Sequence, residues 1–488
     1  MPRNKMTTAV VAATLVCAGA IQAHAQPNAR FCVVPVEDSA PTAADYGYAW
    51  LTLTAFRIPG LSSIVFTPGN GRHRWIIDSA RKLVRYGGPY PHSFLDKRKW
   101  IVEPWSSRIV AITYGGGVSV LSPGSGHFAS LDDTANLRDF RTIETLPRRK
   151  LTIVIRGNAP FVVGEKSLRP WFSESELAAH GVKGIAHLHD APSLSATIII
   201  DSDSQIHILD DEDHWQQIGS LEKGDDGSVF EARDAKAVLI LGLKSVALIR
   251  KKEGSQHGYT AERLLTTRAN GAGTRYSRSQ LFHQLLFYDL GHWFYDRGHW
   301  QRLGQHGFEN VPGGGIDPPP FGQPHDLPTL GKTLIEGADG LYLYDGRSIK
   351  PVRDGGRERI GKLPRVYDLP SIKRVLLSTQ NGMFEITPEG ALVSRPMPFS
   401  TSGLPSPQLW DWAESGVAVA STHQGLFVLD AHLNASRVSG GEIMGLGWLP
   451  FANGTNPGTG DLVLTAKRGV FLAVDSLRNP DGCRGISP

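Results

Sequence analysis

Charge and cysteine are both scarce in this 488-residue chain: charged residues make up 20% of it and cysteine occurs three times. So low a charged fraction, beside 41% hydrophobic residues, excludes a disordered polar tail, and the composition also excludes a collagen and a coiled coil. The formal net charge of +4 is close to neutral for this length. It therefore gives no electrostatic reason to expect nucleic acid as a partner.

Sequence motifs of common reactions are absent as well. The chain contains no G-x-S-x-G, no H-E-x-x-H and no C-x-x-C. The tripeptide Gly331-Lys332-Thr333 looks like the end of a phosphate-binding loop, but Asp326 stands where that loop needs its first Gly. The sequence thus offers no motif that names a reaction.

Turn-forming residues are present in excess. The chain has 54 Gly and 32 Pro in 488 residues, roughly 11% and 6.6%, against usual fractions of about 7% and 5%. Both residue types punctuate turns, and both are the poorest formers of helix. The composition therefore predicts short elements joined by many turns, and it disfavours a protein built of long helices.

The N-terminus has the pattern of a secretory signal. Arg3 and Lys5 precede an uncharged, mostly apolar stretch at residues 7–21, and Ala-His-Ala at 23–25 forms an A-x-A cleavage site. An apolar stretch of about 15 residues is short for a membrane anchor, which needs about 20. We predict a signal peptide at residues 1–25 and a mature chain, 26–488, that is soluble and periplasmic or secreted, with no integral membrane span.

The two cysteines left after this cleavage lie near the two ends of the mature chain. Cys32 and Cys483 form an isolated pair, and in an oxidising compartment such a pair predicts a disulfide. That bond would join the chain ends. Two unpaired thiols are the alternative.

A repeat of about 43 residues runs down the chain. Each copy is an apolar strand, a tight polar turn and a second strand that opens with an apolar residue. The clearest copies lie at residues 333–345, 375–386, 417–430 and 462–475. The first apolar residues after the turns are Leu83, Val118, Phe161, Ile206, Val246, Trp293, Leu341, Met383, Leu426 and Val470.

This spacing is typical of four-stranded propeller blades. We predict an all-β protein, a closed β-propeller of about eight to ten four-stranded blades, in which the strand from Phe31 to Val36 completes the last blade. Two smaller propellers in tandem are an alternative, with a seam in the Gly/Pro-rich segment at residues 309–331. A β-sandwich array and a parallel β-helix fit the spacing less well. Gly340, Gly382 and Gly425 are predicted at positive φ in hairpin turns.

The turn sequence Gly-[Leu/Val/Met]-[Tyr/Phe], followed by a strand often ending in Asp, resembles blades of the propeller domains attached to bacterial two-component sensors. It is also similar to WD-type and quinoprotein-like propellers. No blade has a full Gly-His…Trp-Asp signature, and residues 201–205 lack the Gly of a sialidase Asp-box. The resemblance implies an architecture and no catalytic residues.

A duplicated heptad is the most unusual local feature. Residues 287–293 (FYDLGHW) are followed directly by residues 294–300 (FYDRGHW). His292 and His299 are candidate metal ligands, and Asp296 with His299 is a candidate acid–base pair. The alternative is purely structural, two successive turns whose Trp side chains pack between blades.

Acidic residues cluster at Asp201 and Asp203 and again at residues 210–213. Oxygen ligands at alternate positions suit Ca²⁺, which makes Asp201 and Asp203 candidate metal ligands. The strand between the two groups predicts that they lie at the two ends of one hairpin arm, and solvated turns are the alternative. No cofactor is predicted, although Ca²⁺ or a transition metal stays open.

The function that these features favour is binding. We expect an exported, monomeric propeller that binds a protein, glycan or small-molecule partner through loops on one face of the ring. The alternatives are a propeller hydrolase or lyase with a His/Asp site at the channel mouth, and a structural component of the envelope. Convergence of His292, Asp296 and His299 in one pocket would favour the enzyme.

Overall fold

The structure, a computed structural model, describes most of the central and C-terminal chain. The described residues are 27–37, 54–57, 64–67, 75–77, 81–85, 100–113, 117–123, 125, 128–131, 139–221, 228–232, 236–241, 245–266, 275–279, 284–288, 300–304, 307–313, 315, 324–361, 365–379, 381–399, 407–422, 424–439, 451–455, 459–466 and 469–484. Within these residues, no helix is both long and apolar enough to cross a membrane. The predicted signal peptide at residues 1–25 lies outside the described part and stays a prediction.

The described residues form forty β-strands and few helices. After β1 (Pro27–Pro35), sheet 1 contains β2 (Thr54–Arg57), β3 (Ile64–Thr67), β4 (Trp75–Ile77) and β5 (Leu83–Arg85). Sheet 2 contains β6 (Trp100–Val102), β7 (Ile109–Ile112), β8 (Val118–Leu121) and β9 (Ala129–Ser130). Sheet 3 contains β10 (Phe140–Leu146), β11 (Leu151–Arg156), β12 (Ala159–Val163) and β13 (Leu168–Pro170), and helix α1 (Glu174–Ala179) follows it.

The middle of the chain continues the pattern. Sheet 4 contains β14 (Ile185–Ala191), β15 (Ala196–Asp201), β16 (Gln205–Asp210) and β17 (Trp215–Ser220). Sheet 5 contains β18 (Ser228–Ala232), β19 (Ala237–Leu241), β20 (Ser245–Lys251) and β21 (Tyr259–Thr266). Sheet 6 contains β22 (Arg275–Ser279), β23 (Gln284–Tyr288), β24 (Trp300–Gly304) and β25 (Gly307–Asn310).

The remaining strands complete three further sheets. Sheet 7 contains β26 (His325–Leu327), β27 (Lys332–Glu336), β28 (Gly340–Tyr344) and β29 (Ile349–Gly356), and helix α2 (Arg357–Ile360) follows it. Sheet 8 contains β30 (Arg365–Leu369), β31 (Arg374–Thr379), β32 (Gly382–Ile386) and β33 (Leu392–Ser394). Sheet 9 contains β34 (Gln408–Trp412), β35 (Val417–Thr422), β36 (Gly425–Leu429), β37 (Ala435–Ser439), β38 (Phe451–Thr455), β39 (Leu462–Ala466), β40 (Gly469–Asp475) and β1.

Sheets 1 to 8 are each a four-stranded antiparallel meander, in which consecutive strands are neighbours. The apolar cores lie between successive sheets. Between sheets 4 and 5, for example, Ile198 and Ile200 pack with Val238 and Ile240, all at most 2% exposed. Strands buried on both sides explain the continuous apolar runs in the sequence. The architecture is all-β and of the propeller type, as predicted.

The N-terminal strand completes the C-terminal sheet. In sheet 9, β1 pairs antiparallel with β40, from Phe31 opposite Asp475 to Pro35 opposite Phe471, and it also pairs in parallel with β37. The eight strands of sheet 9 are therefore two four-stranded halves, and β1 is the fourth strand of the second half. The prediction that this segment completes the last unit is confirmed.

A disulfide ties the two chain ends to each other inside that half-sheet. Cys32, on β1, is bonded to Cys483, with 5.9 Å between their Cα atoms. Cys32 is 3% exposed and belongs to the same apolar cluster as Val470, Leu472 and Val474 of β40. The predicted pairing is confirmed.

The first and last units of the chain lie side by side. Ile77 and Leu83 of sheet 1 pack against Val463 and Val474 of sheet 9, and β2 contacts β38. The main-chain N–H of Leu83 donates to the carbonyl of Glu37, just after β1, at 2.9 Å. The row of sheets thus brings its first and last members into contact.

Two details of the repeat prediction are wrong, and the repeat position Trp293 lies outside the described residues. Leu83 begins the fourth strand of its sheet, whereas the third strand, the equivalent of β8, begins at Trp75, 43 residues before Val118. Gly382 and Gly425 have φ of +125° and +123° as predicted, but Gly340 does not have positive φ. Gly340 is required by close approach instead, because a Cβ there would lie 2.7 Å from the carbonyl oxygen of Gly355. The predicted tandem seam at residues 309–331 stays a prediction.

The turn between the first and second strands of a sheet makes a hydrogen bond to the next sheet, and this contact recurs along the chain. The turns are short 3-10 helices, and each is followed by a residue in the left-handed region; they span Pro147–Arg149, Pro192–Leu194, Pro328–Leu330, Pro370–Ile372 and Ala413–Ser415. In four turns, the second-position N–H donates to a carboxylate on the next sheet. The donor–acceptor pairs are Arg148–Asp190, Ser193–Glu231, Thr329–Asp368 and Ser371–Asp411. Two of the four acceptors, Asp190 and Asp368, stand in the sequence Asp-x-Pro, which is the local signal of the contact at these two positions.

Removal of one such carboxylate is expected to destabilise the protein. Asp411 accepts two hydrogen bonds from Ser371, one from its main-chain N–H at 3.0 Å and one from its side-chain hydroxyl at 2.7 Å. Asp411→Ala leaves both partly buried donors without this acceptor, so we expect the free energy of unfolding to fall by about 1–3 kcal/mol. Urea denaturation measures this loss. Asp411→Asn keeps one acceptor and should lose less, and equal stability of all three proteins would contradict the role of the contact.

Candidate functional site

The heptad candidates lie outside the described residues. This applies to His292, Asp296 and His299, since β23 ends at Tyr288 and β24 begins at Trp300. Their convergence, and with it the metal and acid–base hypotheses for the heptad, stays a prediction.

Asp201 and Asp203 lie on the β15–β16 turn, at the opposite end of β16 from Asp210, as expected for a hairpin arm. Asp201 is 2% exposed, and its Oδ1 accepts the N–H groups of Asp203 at 2.9 Å and Gln205 at 2.8 Å. Its Oδ2 lies 3.2 Å from the main-chain nitrogen of Lys183 and 3.4 Å from His207 Nε2. Asp201 thus organises its own turn, and a metal at this position stays a prediction.

The buried imidazole of His207 stands against this carboxylate. Burial lowers the pKa of His207 below its ordinary value, although the hydrogen bond and the charge of Asp201 act in the opposite direction. The His207 imidazole is therefore uncharged at neutral pH. It lies against the Asp201 carboxylate, which already accepts hydrogen bonds from main-chain N–H groups. This arrangement is a structural contact at the centre of sheet 4.

A pocket lies at the end of the sheets that holds the β15–β16 turn and the connection from β13 to β14; we call this the loop end. Its volume is about 260 Å³, and it is lined by Asn158, Glu174, Leu177, Val182, Lys183 and Gly184. The lining offers an amide, a carboxylate and an ammonium group. Such a mixture suits a polar ligand.

Helix α1 positions one wall of this loop-end pocket. Ser173 caps the helix with a capping box, in which its side chain accepts the N–H of Glu176 and the Glu176 carboxylate accepts the N–H of Ser173. Leu177 is 2% exposed and anchors the helix on the core between sheets 3 and 4. Gly184 has φ of +82°, and a Cβ there would lie 2.4 Å from Cβ of Asn158. Only glycine lets this connection pass so close to the β11–β12 turn.

Two histidines and an aspartate meet at the opposite end of the sheets, which we call the turn end. Asp210 and His214 flank the β16–β17 turn, and His257 lies on the β20–β21 turn of sheet 5. Asp210 Oδ2 is 2.7 Å from Nδ1 of His257 and 3.3 Å from Nδ1 of His214. One ligand atom from each of the three residues lies within 4.8 Å of the others, and the two rings are 4.4 Å apart. We refer to these three residues as the turn-end cluster.

The carboxylate of this cluster is held by its own turn. Asp210 Oδ1 accepts the N–H groups of Glu212 and His214, both at 2.9 Å. Burial raises the pKa of Asp210, but the hydrogen bonds from the His214 main chain, from His257 and from Glu212 together outweigh it, and the pKa lies below its ordinary value. Asp210 is therefore ionised at neutral pH, and its Oδ2 is directed to the imidazoles.

Arginines from sheet 3 surround the same turn. Arg149 donates to the main-chain carbonyl of Asp210 and pairs with Asp213 at 2.8 Å. Arg148 pairs with Asp190 at 2.8 Å and with Asp211 at 2.5 Å. The arginines thus engage the outer carboxylates of the turn and leave the Asp210 carboxylate to the histidines.

The turn-end cluster was not predicted, although the period contained a signal for it. Asp210 and His257 are 47 residues apart, which is close to one repeat. Asp210 ends the third strand of its sheet, and His257 follows the third strand of the next sheet. Equivalent turns of consecutive units meet when the units pack side by side. A search for polar residues one period apart would have found the pair.

Comparisons with known proteins assign this chain to no family. No protein-family model matches the chain, and no curated protein matches it. Among solved structures, PorZ, a surface component of the type-IX secretion system of Porphyromonas gingivalis, is 13% identical with a TM-score of 0.27, over 84% of this chain and 56% of PorZ. The chain thus spans little more than half the length of PorZ.

Two further structures are similar over most of the chain. The extracellular domain of a protein assigned to the hybrid two-component systems of B. thetaiotaomicron is 12% identical, with a TM-score of 0.27, over 88% of this chain and 70% of that one. Virginiamycin B lyase from Staphylococcus aureus is 8% identical, with a TM-score of 0.33, over 65% of this chain and 98% of the lyase. All three are propeller-type proteins. Neither a ligand nor an activity follows from similarity at this level.

Proposed function

We propose that this protein is an exported, monomeric propeller with a single closed ring, which binds a polar partner at its loop end. The ring would contain ten four-stranded units, eight from sheets 1 to 8 and two from sheet 9. The contact between sheet 1 and the second half of sheet 9 supports one ring over two in tandem, because two rings would separate the chain ends.

The observation that carries the binding proposal is the loop-end pocket. Its volume of about 260 Å³ is below the usual 300–1,000 Å³ for sites that enclose a drug-sized ligand. A pocket of this size holds one sugar ring or a similar terminal group, while the rest of a ligand lies across the neighbouring loops. Asn158, Glu174 and Lys183 supply hydrogen-bond donors and acceptors for hydroxyl groups. A glycan is therefore the partner that fits best.

Loss of Lys183 is expected to weaken such binding at least tenfold. The mature chain would be tested on a panel of immobilised envelope glycans, and the affinity of any ligand found would be measured by calorimetry. Lys183→Ala removes one donor from the pocket and a surface ion pair with Asp203, which contributes little to stability. Lys166→Ala is the matched control, because residue 166 lies between β12 and β13 at the turn end.

The control should bind as the wild type does. Equal affinity of both variants would sink the loop-end proposal, and so would capture of a protein but of no glycan, since the pocket would then not be the determinant of binding.

A further inference from the structure

The donor atoms of the turn-end cluster converge on one point. Two imidazole nitrogens and one carboxylate oxygen, from Asp210, His214 and His257, lie within 4.8 Å of one another. We infer that these three residues bind a divalent late first-row transition metal ion, of which Zn²⁺ fits best. This inference is independent of the ligand proposed for the loop end, because the two sites lie at opposite ends of the sheets.

The donor set selects the class of metal. Imidazole and carboxylate together suit Zn²⁺, and three protein ligands with one open position are its usual arrangement in sites that exchange a ligand. Calcium prefers six to eight oxygen ligands and gains little from imidazole. The acidic turn at residues 210–213 is thus better suited to a transition metal than to Ca²⁺, since His214 and His257 converge on its Asp210.

The two distances from the histidine nitrogens to Asp210 can be compared with those of a tetrahedral site. Two ligands at about 2.0–2.1 Å from Zn²⁺ lie about 3.3 Å apart. Asp210 Oδ2 and His214 Nδ1 are 3.3 Å apart, while His257 Nδ1, at 2.7 Å from Asp210 Oδ2, would have to move out by about 0.6 Å. His214 is 58% exposed and His257 37%, so both rings have room for this shift.

The second ring nitrogen of His257 lies beside the carboxylate of Glu212. His257 directs Nδ1 to Asp210, and its Nε2 lies 3.6 Å from Oε2 of Glu212. Gln256, from the same turn as His257, donates to Oε1 of Glu212 at 3.4 Å. A carboxylate beside the distal nitrogen of a ligating histidine sets its tautomer and raises its basicity. Glu212 is in place for this role.

The local charge also favours a dication. Arg148 pairs with Asp190 and Asp211 and Arg149 pairs with Asp213, whereas the carboxylates of Asp210 and Glu212 lie against the two imidazoles. Asp210 is 6% exposed, so its charge is only weakly screened by solvent. The excess negative charge lies on Asp210 and Glu212, next to the two imidazoles.

An equivalent turn elsewhere in the chain lacks this convergence and supplies a matched design. Asp430 Oδ1 accepts the N–H groups of His432 at 2.8 Å and Asn434 at 2.9 Å, and Asn434 Nδ2 donates to Oδ2 of Asp430 at 2.9 Å. This is the hydrogen-bond pattern of the Asp210–His214 turn with Asn in the fifth position. His214→Asn therefore keeps a turn that the protein already builds while it removes one imidazole.

The test is calorimetric titration of the untagged mature chain, residues 26–488, with ZnCl₂ after removal of metal by a chelator. We expect one Zn²⁺ per chain at this site, an affinity at least tenfold lower in His214→Asn and in His257→Gln, and no change in His432→Asn. Ca²⁺ should not compete. Binding of Co²⁺ in place of Zn²⁺ should give a visible spectrum of nitrogen and oxygen ligands that is lost in both site variants.

Three results would overturn the inference. The first is the absence of Zn²⁺ binding in the wild type. The second is unchanged affinity in His214→Asn and His257→Gln while His292→Ala with His299→Ala removes the binding, which would assign the ion to the heptad. The third is displacement of Zn²⁺ by equimolar Ca²⁺. Far-ultraviolet circular dichroism of each variant shows that a loss of binding does not come from misfolding.

Discussion

Reduction of the Cys32–Cys483 disulfide is expected to lower the free energy of unfolding by about 4–5 kcal/mol. The two residues are 451 positions apart in the sequence, so the bond removes much of the conformational entropy of the unfolded chain. It also holds β1 in sheet 9, where five residue pairs join it to β40. Without the bond, the final half-sheet is completed by non-covalent contacts alone. Urea denaturation with and without a thiol reductant measures the difference.

The single variants give the control for this prediction. Cys32→Ala, Cys483→Ala and the double variant all break the same cross-link, so their losses should be similar and not additive. Cys32 is almost fully buried, and its truncation adds a packing loss that Cys483→Ala does not share to the same extent. A wild-type transition that does not respond to reductant would contradict the prediction.

Replacement of Glu103 is expected to cost about 3–5 kcal/mol, because it removes one partner of a buried ion pair. Glu103 is fully buried, and Arg108 donates to its two oxygens, both at 2.7 Å. Thr152 of sheet 3 donates to the same carboxylate at 2.7 Å, and Arg108 also donates to the Gly164 carbonyl at 3.2 Å. The pair thus joins sheets 2 and 3, and Glu103→Gln would leave the partly buried guanidinium without its counter-charge.

An exposed pair gives the comparison. Lys82 and Glu37 are 3.1 Å apart, with side chains 48% and 63% exposed, so Glu37→Gln should cost less than about 1 kcal/mol. The double variant Glu103→Gln with Arg108→Met should be less destabilised than the sum of its single variants. Similar losses for Glu103→Gln and Glu37→Gln would contradict the role of burial.

The same carboxylate makes stability depend on acid pH. Burial raises the pKa of Glu103, but hydrogen bonds from Arg108, Ser106 and Thr152 outweigh it, and the pKa lies below the ordinary value of 4.5. A lowered pKa in the folded protein means that this stabilisation is complete above about pH 4.5 and is lost as the pH falls through the folded value. The difference in unfolding free energy between wild type and Glu103→Gln should therefore shrink below pH 4.5, and a constant difference from about pH 7 to about pH 3 would contradict it.

Much of the fold could be predicted, because the signals are local. Apolar strands and Gly-containing turns repeat every 43 residues or so, and each repeat became one four-stranded unit. The error at Leu83 arose because sheet 1 has short strands, so the turn before its fourth strand resembled the turn before a third. Gly340 was misjudged because a close approach to Gly355, which belongs to another strand of the sheet, leaves no local pattern.

The candidate sites show where local signals end. Asp201 and Asp203 were singled out for their spacing, yet the main-chain N–H groups of their own turn occupy Asp201. His214 and His257 were not singled out, because His214 follows acidic residues that were considered only as oxygen ligands and His257 lies in a distant turn of the sequence. Their significance comes from a partner one repeat away. Likewise the loop-end pocket combines a turn of sheet 3 with the connection that leads to sheet 4.

The sequence by itself determined the repeating unit, the all-β class and the cysteine pair, since strand and turn preferences act over a few residues and two isolated cysteines leave one pairing. Only the tertiary structure decided which side chains meet. Side-by-side packing of consecutive sheets brings equivalent turns together, so Asp210 contacts His257 across 47 positions, and Ser371 contacts Asp411 across 40. These contacts depend on how one sheet is placed against the next, which no short stretch of sequence specifies.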